Sequence, residues 1–144
     1  MDKAFYYTTN LSWNEGRIGE ISEPTLETIK VATPPEFPKG VPNIWSPEHL
    51  YVASVNVCLM TTFLAVAENS KLEFSDYSSE ATGKLEKVER LMQITEIVIK
   101  PKITIKNEDD REKALKLLNK SEDVCLISNS IKTKVVLEPE IVVE

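Results

Sequence analysis

The order of segments along this chain predicts an α+β fold. Three observations carry it. Aromatic and β-favouring residues crowd the N-terminus, and an uncharged apolar run fills positions 50–67. The strand-like and helix-like segments that follow lack the regular alternation of a doubly wound parallel sheet.

The elements can be justified in order. "AFYYTTNLSW" reads as a first strand and "GRIGEIS" as a second, joined at Asn14-Glu15-Gly16 as a hairpin. "TLETIKV" alternates apolar with polar residues and reads as a third strand. "ATPPEFPKGVPN" has four prolines in twelve residues, so it is a loop, and long loops often border functional sites. Ser46-Pro47-Glu48 then opens a helix: Ser46 suits the N-cap, Pro47 the first helical position and Glu48 the positive end of the dipole. His49, beside that start, is a surface or cap residue.

The helix is expected to reach about Asn69. Its faces are apolar or small all round, which predicts burial all round. Two long strands, joined near Glu89 to Leu91, follow it, with Ile94, Ile97, Ile99, Ile103 and Ile105 supplying much of the second one's apolar content. "EDDREKALKLLNKSED" is an amphipathic helix with Ala114, Leu115, Leu117 and Leu118 inward, and Cys125 comes directly after it. "TKVVLEPEIVVE" closes the chain as a strand whose Pro139 marks an edge or a bulge. So apolar a helix needs more cover than one small sheet supplies, and the expected cover is a second copy of the chain, a homodimer.

Composition narrows the functions. With 144 residues the chain is expected to form a single domain over 1–144, and its 42% hydrophobic and 28% charged shares are those of a globular protein. A net charge of −6 leaves no basic face for nucleic acid or for an anionic membrane. The run from Leu50 to Ala67 nears the length of a membrane span. It is flanked or interrupted by Glu48, His49, Asn56, Thr61, Thr62 and Glu68 and lacks basic anchors, so a buried core helix is the expectation. The first residues, "MDKAFYYTTNLSW", do not read as a signal peptide, and a cytoplasmic location is expected. One histidine and two distant cysteines make no zinc site and no Ser-His-Asp triad; four glycines make neither a Rossmann fingerprint nor a P-loop. No metal and no cofactor are expected.

What remains is Cys58, Cys125, Arg17 and Glu48. In a reducing compartment two cysteines are more often chemical than structural. A thiol becomes a nucleophile when a nearby cation stabilises its thiolate; Arg17, just after the turn glycine, is a candidate cation, and Glu48 can hold its guanidinium in a bidentate pair. Each residue also has a plain structural explanation: packing for a cysteine in an apolar helix, solvation for an arginine at a turn, dipole compensation for the glutamate.

Four stretches, "GRIG", "VATPPEF", "SPEHLYVASVNVC" and "VCLISNSI", resemble the OsmC/Ohr family, that is, osmotically inducible protein C and the organic hydroperoxide resistance proteins. The most specific feature is a Pro-Glu pair with a cysteine ten residues after the Glu, followed by a second cysteine that leads into an Ile-Ser-Asn stretch. The resemblance implies an OsmC-like α+β fold, with antiparallel sheets around a long buried central helix in an intertwined homodimer. It implies a thiol-dependent peroxidase in which Cys58 is the peroxidatic cysteine and Cys125 the resolving one. Arg17 would stabilise the thiolate and orient the peroxide, and Glu48 would pair with Arg17. The partners implied are a hydroperoxide, an external dithiol reductant and a second subunit. Leu126 stands where the family often has proline, and Pro35 where the Ohr branch often has arginine, so the branch and its preference for organic hydroperoxide or hydrogen peroxide stay open. On one straight helix Glu48 and Cys58 lie roughly 15 Å apart along the axis. They can then serve one site only if Arg17 bridges them or the glutamate comes from the partner subunit. Two other readings stay open: a hot-dog-type thioesterase using Glu48, and a non-catalytic redox-sensing or ligand-binding protein.

Overall fold

The structure, a computed structural model, describes residues 3–144. The chain divides into two units, one ending at Leu50 and one running from Tyr51 to Glu144.

In the first unit, strands β1 (Asn10–Glu15), β2 (Ile18–Glu23) and β3 (Leu26–Ala32) form an antiparallel meander in that order. Gly16 takes the positive φ of 54° that the β1–β2 turn requires. Residues 4–9, expected within the first strand, lie outside it. β1 extends only as far as β2 can pair with it, to Asn10 opposite Ser22, so Phe5, Tyr6 and Tyr7 remain exposed. The proline-rich loop is closed by its own backbone. The Val41 N–H donates to the Thr33 carbonyl (2.8 Å) and the Ala32 N–H to that of Trp45 (2.9 Å). A Cβ on Gly40 would lie 1.9 Å from the Pro34 carbonyl oxygen, so only glycine fits there.

Helix α1 spans Pro47–Asn69. Its start is capped as the sequence suggests: Ser46 Oγ accepts the His49 N–H at 3.1 Å. The same hydroxyl lies 2.7 Å from His49 Nδ1, so the histidine belongs to the cap.

The second unit holds the body of α1, strands β4 (Phe74–Val88) and β5 (Leu91–Ile105), helix α2 (Arg111–Asp123), and strands β6 (Lys134–Leu137) and β7 (Glu140–Val143). β4 and β5 pair antiparallel across the Glu89-Arg90 turn, whereas β6 and β7 both pair with β5 in parallel. The sheet is therefore mixed rather than antiparallel throughout. α2 carries the chain back over the sheet before it re-enters, and such a crossover produces a parallel neighbour. The last strand is two strands, broken at Pro139. Opposite that break lies Pro101. The Ile99 and Ile105 carbonyls accept from the Glu138 and Glu144 amides, so the odd residues of β5 bond toward the β6–β7 edge. Pro101, which has no N–H to give, falls where neither β6 nor β7 pairs, and no ladder bond is lost.

The core is one row of β5 against both helices. Ile97, Ile99, Ile103 and Ile105 are buried with Val55, Leu59, Phe63 and Ala67 of α1 and Ala114, Leu117 and Leu118 of α2. Leu115, expected inward, is 38% exposed. At 100° per residue it points away from the stripe of positions 114, 117, 118 and 121, whose last inward member is Ser121. Gly83 lets β4 close on α1, since a Cβ there would lie 2.6 Å from Val52 Cγ2.

By length and composition α1 is able to cross a membrane, yet it seats Val55, Leu59, Phe63 and Ala67 in the core. It is not buried all round: Val57 is 54% and Leu64 41% exposed. One sheet face covers one stripe of a helix, and the rest of α1 is apolar too.

Candidate active site: a paired-cysteine centre

α1 carries Cys58 on its buried stripe, with the hydroxyl of Thr62 one turn later and 3.8 Å from the sulfur. Cys125 follows α2 at once. Its N–H donates to the Glu122 carbonyl (3.2 Å), and its own carbonyl accepts the Asn129 N–H (3.0 Å). The chain then turns at Leu126 and Ile127 into a single 3-10 turn, Ser128–Ser130. Both thiols are free and buried. Other bonds hold these elements in place: Ser79 Oγ donates to Asn56 Oδ1 at 2.6 Å, and Thr133 bonds both the Tyr51 hydroxyl and the Ile94 carbonyl.

The two thiols are electrostatically unlike. Burial pushes Cys58 up, but the Cys125 thiol, the Ile127 N–H, the Thr62 hydroxyl and the Leu126 N–H together outweigh it and bring Cys58 below the ordinary thiol range. Burial pushes Cys125 up and the neighbouring Cys58 pushes it further, only partly offset by the amide and hydroxyl of Ser128. The two directions make Cys58 the thiol biased toward the thiolate and Cys125 the one biased toward the neutral form. A poised nucleophile beside a protonated second thiol can form a disulfide after one oxidation.

Arg17 and Glu48 fare differently. Arg17 is exposed at the β1–β2 turn, beside an apolar groove lined by Leu11, Trp13, Ile18, Val31 and Leu50. Glu48 is half-buried, and its Oε1 is buried without a hydrogen-bond partner. The ion pairs among the described residues are Lys84–Glu86 and Arg111–Glu108. Arg17 and Glu48 form no ion pair within this chain: the guanidinium sits on a solvated turn while the carboxylate belongs to the first turn of α1.

The thiolate donors just described went unread in the sequence. Thr62, four residues after Cys58, could have been found by helical spacing. The Leu126 and Ile127 amides could not, because backbone donors leave no residue signature.

The OsmC-like protein family matches residues 40–140 of this sequence. The chain belongs to the OsmC-like family. An uncharacterized protein of Bacillus subtilis, YmaD, is 28% identical over 142 residues, covering 96% of this chain and 93% of its own. An OsmC-like protein of unknown function from Vibrio cholerae superposes with a TM-score of 0.86 at 21% identity, covering 94% of this chain and 99% of that one. An organic hydroperoxide resistance protein OsmC from Legionella pneumophila superposes with a TM-score of 0.73 at 25% identity, covering 96% and 99%. These OsmC-like neighbours share the mixed α+β architecture, and organic hydroperoxide resistance proteins are among them.

Proposed function

We propose that this OsmC-like protein is a thiol-dependent peroxidase that reduces organic hydroperoxides, and hydrogen peroxide as a second substrate. The observation that carries the reading is the pairing of two free buried thiols with opposite ionisation, Cys58 lowered and Cys125 raised. The Cys58 thiolate attacks one peroxide oxygen, the O–O bond breaks, and the alkoxide leaves and is protonated to the alcohol. Cys58 is left as a sulfenic acid. Cys125 loses its proton and attacks the Cys58 sulfur; hydroxide leaves as water and a Cys58–Cys125 disulfide remains. An external dithiol restores both thiols by exchange. The electrons come from sulfur throughout, so the reaction requires no metal, haem or flavin.

The working unit in this proposal is a homodimer in the cytoplasm, its second subunit covering Val57 and Leu64 of α1. Arg17 orients the peroxide and adds charge stabilisation, and Glu48, whose Oε1 has no partner within the chain, receives the guanidinium.

The test is consumption of an alkyl hydroperoxide and of hydrogen peroxide, side by side, with a dithiol in excess. Continuous turnover is expected. A redox sensor would consume a single equivalent and a thioesterase none, and either result would remove this reading.

The pH dependence of thiol alkylation checks the electrostatics. Removing a donor to the thiolate raises the Cys58 pKa, so less thiolate is present at neutral pH and the midpoint moves up. Leu126→Pro deletes one backbone N–H and is expected to raise the midpoint, while Leu126→Ala keeps the N–H and leaves it in place. Arg17→Ala is expected to raise it as well, with partial recovery in Arg17→Lys. Coincident profiles for all four variants would show that neither group acts on the thiolate.

A further inference from the structure

Helix α1 carries two consecutive threonines one turn beyond Cys58, and their hydroxyls bond differently. Thr61 is exposed and Thr62 half-buried. The Thr61 hydroxyl donates to the Cys58 carbonyl at 3.1 Å, whereas that of Thr62 lies 3.8 Å from the Cys58 sulfur. A threonine within a helix ordinarily turns its hydroxyl back onto the carbonyl three or four residues earlier. Thr61 does so. Thr62 does not, although the Cys58 carbonyl stands four residues before it. A carbonyl oxygen has two lone pairs. In the helix that of Cys58 accepts the Thr62 N–H, and the Thr61 hydroxyl takes the second place.

We propose that Thr61 is a positioning residue: by filling the Cys58 carbonyl it leaves the Thr62 hydroxyl to donate to the Cys58 sulfur. The proposal rests on Cys58 being the reactive thiol and adds how its side-chain donor is aimed. A thiolate has no proton to give, so once Cys58 is ionised the Thr62 hydroxyl is the donor of the pair. One helical turn then holds an O–H against the nucleophile, while Thr61 itself touches no reacting atom.

The competition between acceptors gives Thr61 its effect. With the carbonyl open, the Thr62 hydroxyl has a second partner within its own turn, and the sulfur loses the share of donation that the carbonyl gains. Thr62 is among the groups that bring Cys58 below the ordinary thiol range, so any such loss moves the thiol back up. Thr61 lies four residues after Val57 and three before Leu64, on the exposed stripe of α1 rather than on that of Cys58. Its place in the sequence therefore assigns it no part in the site.

The experiment follows iodoacetamide alkylation of Cys58 against pH in the full chain, mapped by mass spectrometry so that Cys125 is scored separately. Because Thr61 shares a stripe with Val57 and Leu64, midpoints are compared at a concentration where sedimentation shows every variant in the parent's oligomeric state. Thr62→Val, which exchanges the hydroxyl for a methyl, is expected to raise the midpoint by about one pH unit, the scale of a hydrogen bond to a charged group. Thr61→Val keeps the Thr62 hydroxyl but opens the carbonyl, and is expected to raise the midpoint by part of that shift. Thr61→Ser returns a hydroxyl to the carbonyl and should recover the parent midpoint. The double variant Thr61→Val/Thr62→Val should go no higher than Thr62→Val, since Thr61 acts only through Thr62. No peroxide enters this measurement. A protein that shows this pattern yet turns over no hydroperoxide loses the peroxidase reading and keeps the Thr61 assignment. A parent-like midpoint in Thr61→Val or in Thr62→Val, or a double variant whose shift is the sum of the two single ones, would overturn it.

Discussion

Cys58→Ser is expected to abolish peroxide reduction, and Cys125→Ser to stop it after one oxidation. The asymmetry follows from where the protons sit. Cys58 is the thiol that the Leu126 and Ile127 amides, Thr62 and Cys125 hold toward the ionised form, whereas Cys125 is pushed toward the neutral one. A serine hydroxyl at position 58 would remain protonated at any working pH and is a poor nucleophile toward an O–O bond. In Cys125→Ser the first attack still proceeds, and the sulfenic acid, with no second thiol beside it, should persist long enough to be trapped by a dione reagent. Removing the Cys125 thiol also takes one donor from the Cys58 thiolate, so the first step should slow somewhat at neutral pH. Peroxide consumption and sulfenic acid trapping on the two variants read this directly. Oxidation of Cys125 in Cys58→Ser, with none of Cys58 in Cys125→Ser, would reverse the assignment.

Phe63→Ala is expected to cost about 3–5 kcal/mol of folding stability. Phe63 is fully buried five residues beyond Cys58, its ring 5.4 Å from that of Phe74 and 5.6 Å from that of Tyr77. Alanine would leave a cavity between α1 and β4 and would remove both ring contacts. Domains of this size are stable by only about 5–15 kcal/mol, so the loss should lower the urea midpoint markedly. The same change loosens the helix that seats Cys58. Alkylation of Cys58 should therefore lose part of its pH selectivity below the unfolding midpoint. An unchanged urea midpoint would mean that the Phe63 ring is not part of the core.

Much of this architecture was legible because it is written in side chains. The Ser46 cap, the 47–69 helix, the hairpin turn at Glu89-Arg90 and the isoleucine row of β5 follow from local chemistry and periodicity. Residues 4–9 misled because β-favouring composition does not supply a pairing partner. The parallel placement of β6 and β7 was not legible, because it depends on where α2 returns the chain. Cys58 and Cys125 were identified by spacing and resemblance. Their unlike environments were not, because many of the groups that set them are backbone amides of the turn that begins after Cys125. Arg17 is the opposite case. A cation is visible in sequence, whereas the donors that lower Cys58 within the chain are thiol, amide and hydroxyl.

The central claim is that Cys58 and Cys125 of one chain are oxidised together, in that order, by a hydroperoxide. The most direct measurement is peptide mapping by mass spectrometry after one equivalent of an alkyl hydroperoxide, with the non-reduced protein also weighed intact. The expected result is a Cys58–Cys125 disulfide within a single chain, formed in the parent protein, with Cys58 alone as the sulfenic acid in Cys125→Ser. Thiols left unchanged, or a disulfide joining two chains in place of one within the chain, would contradict it.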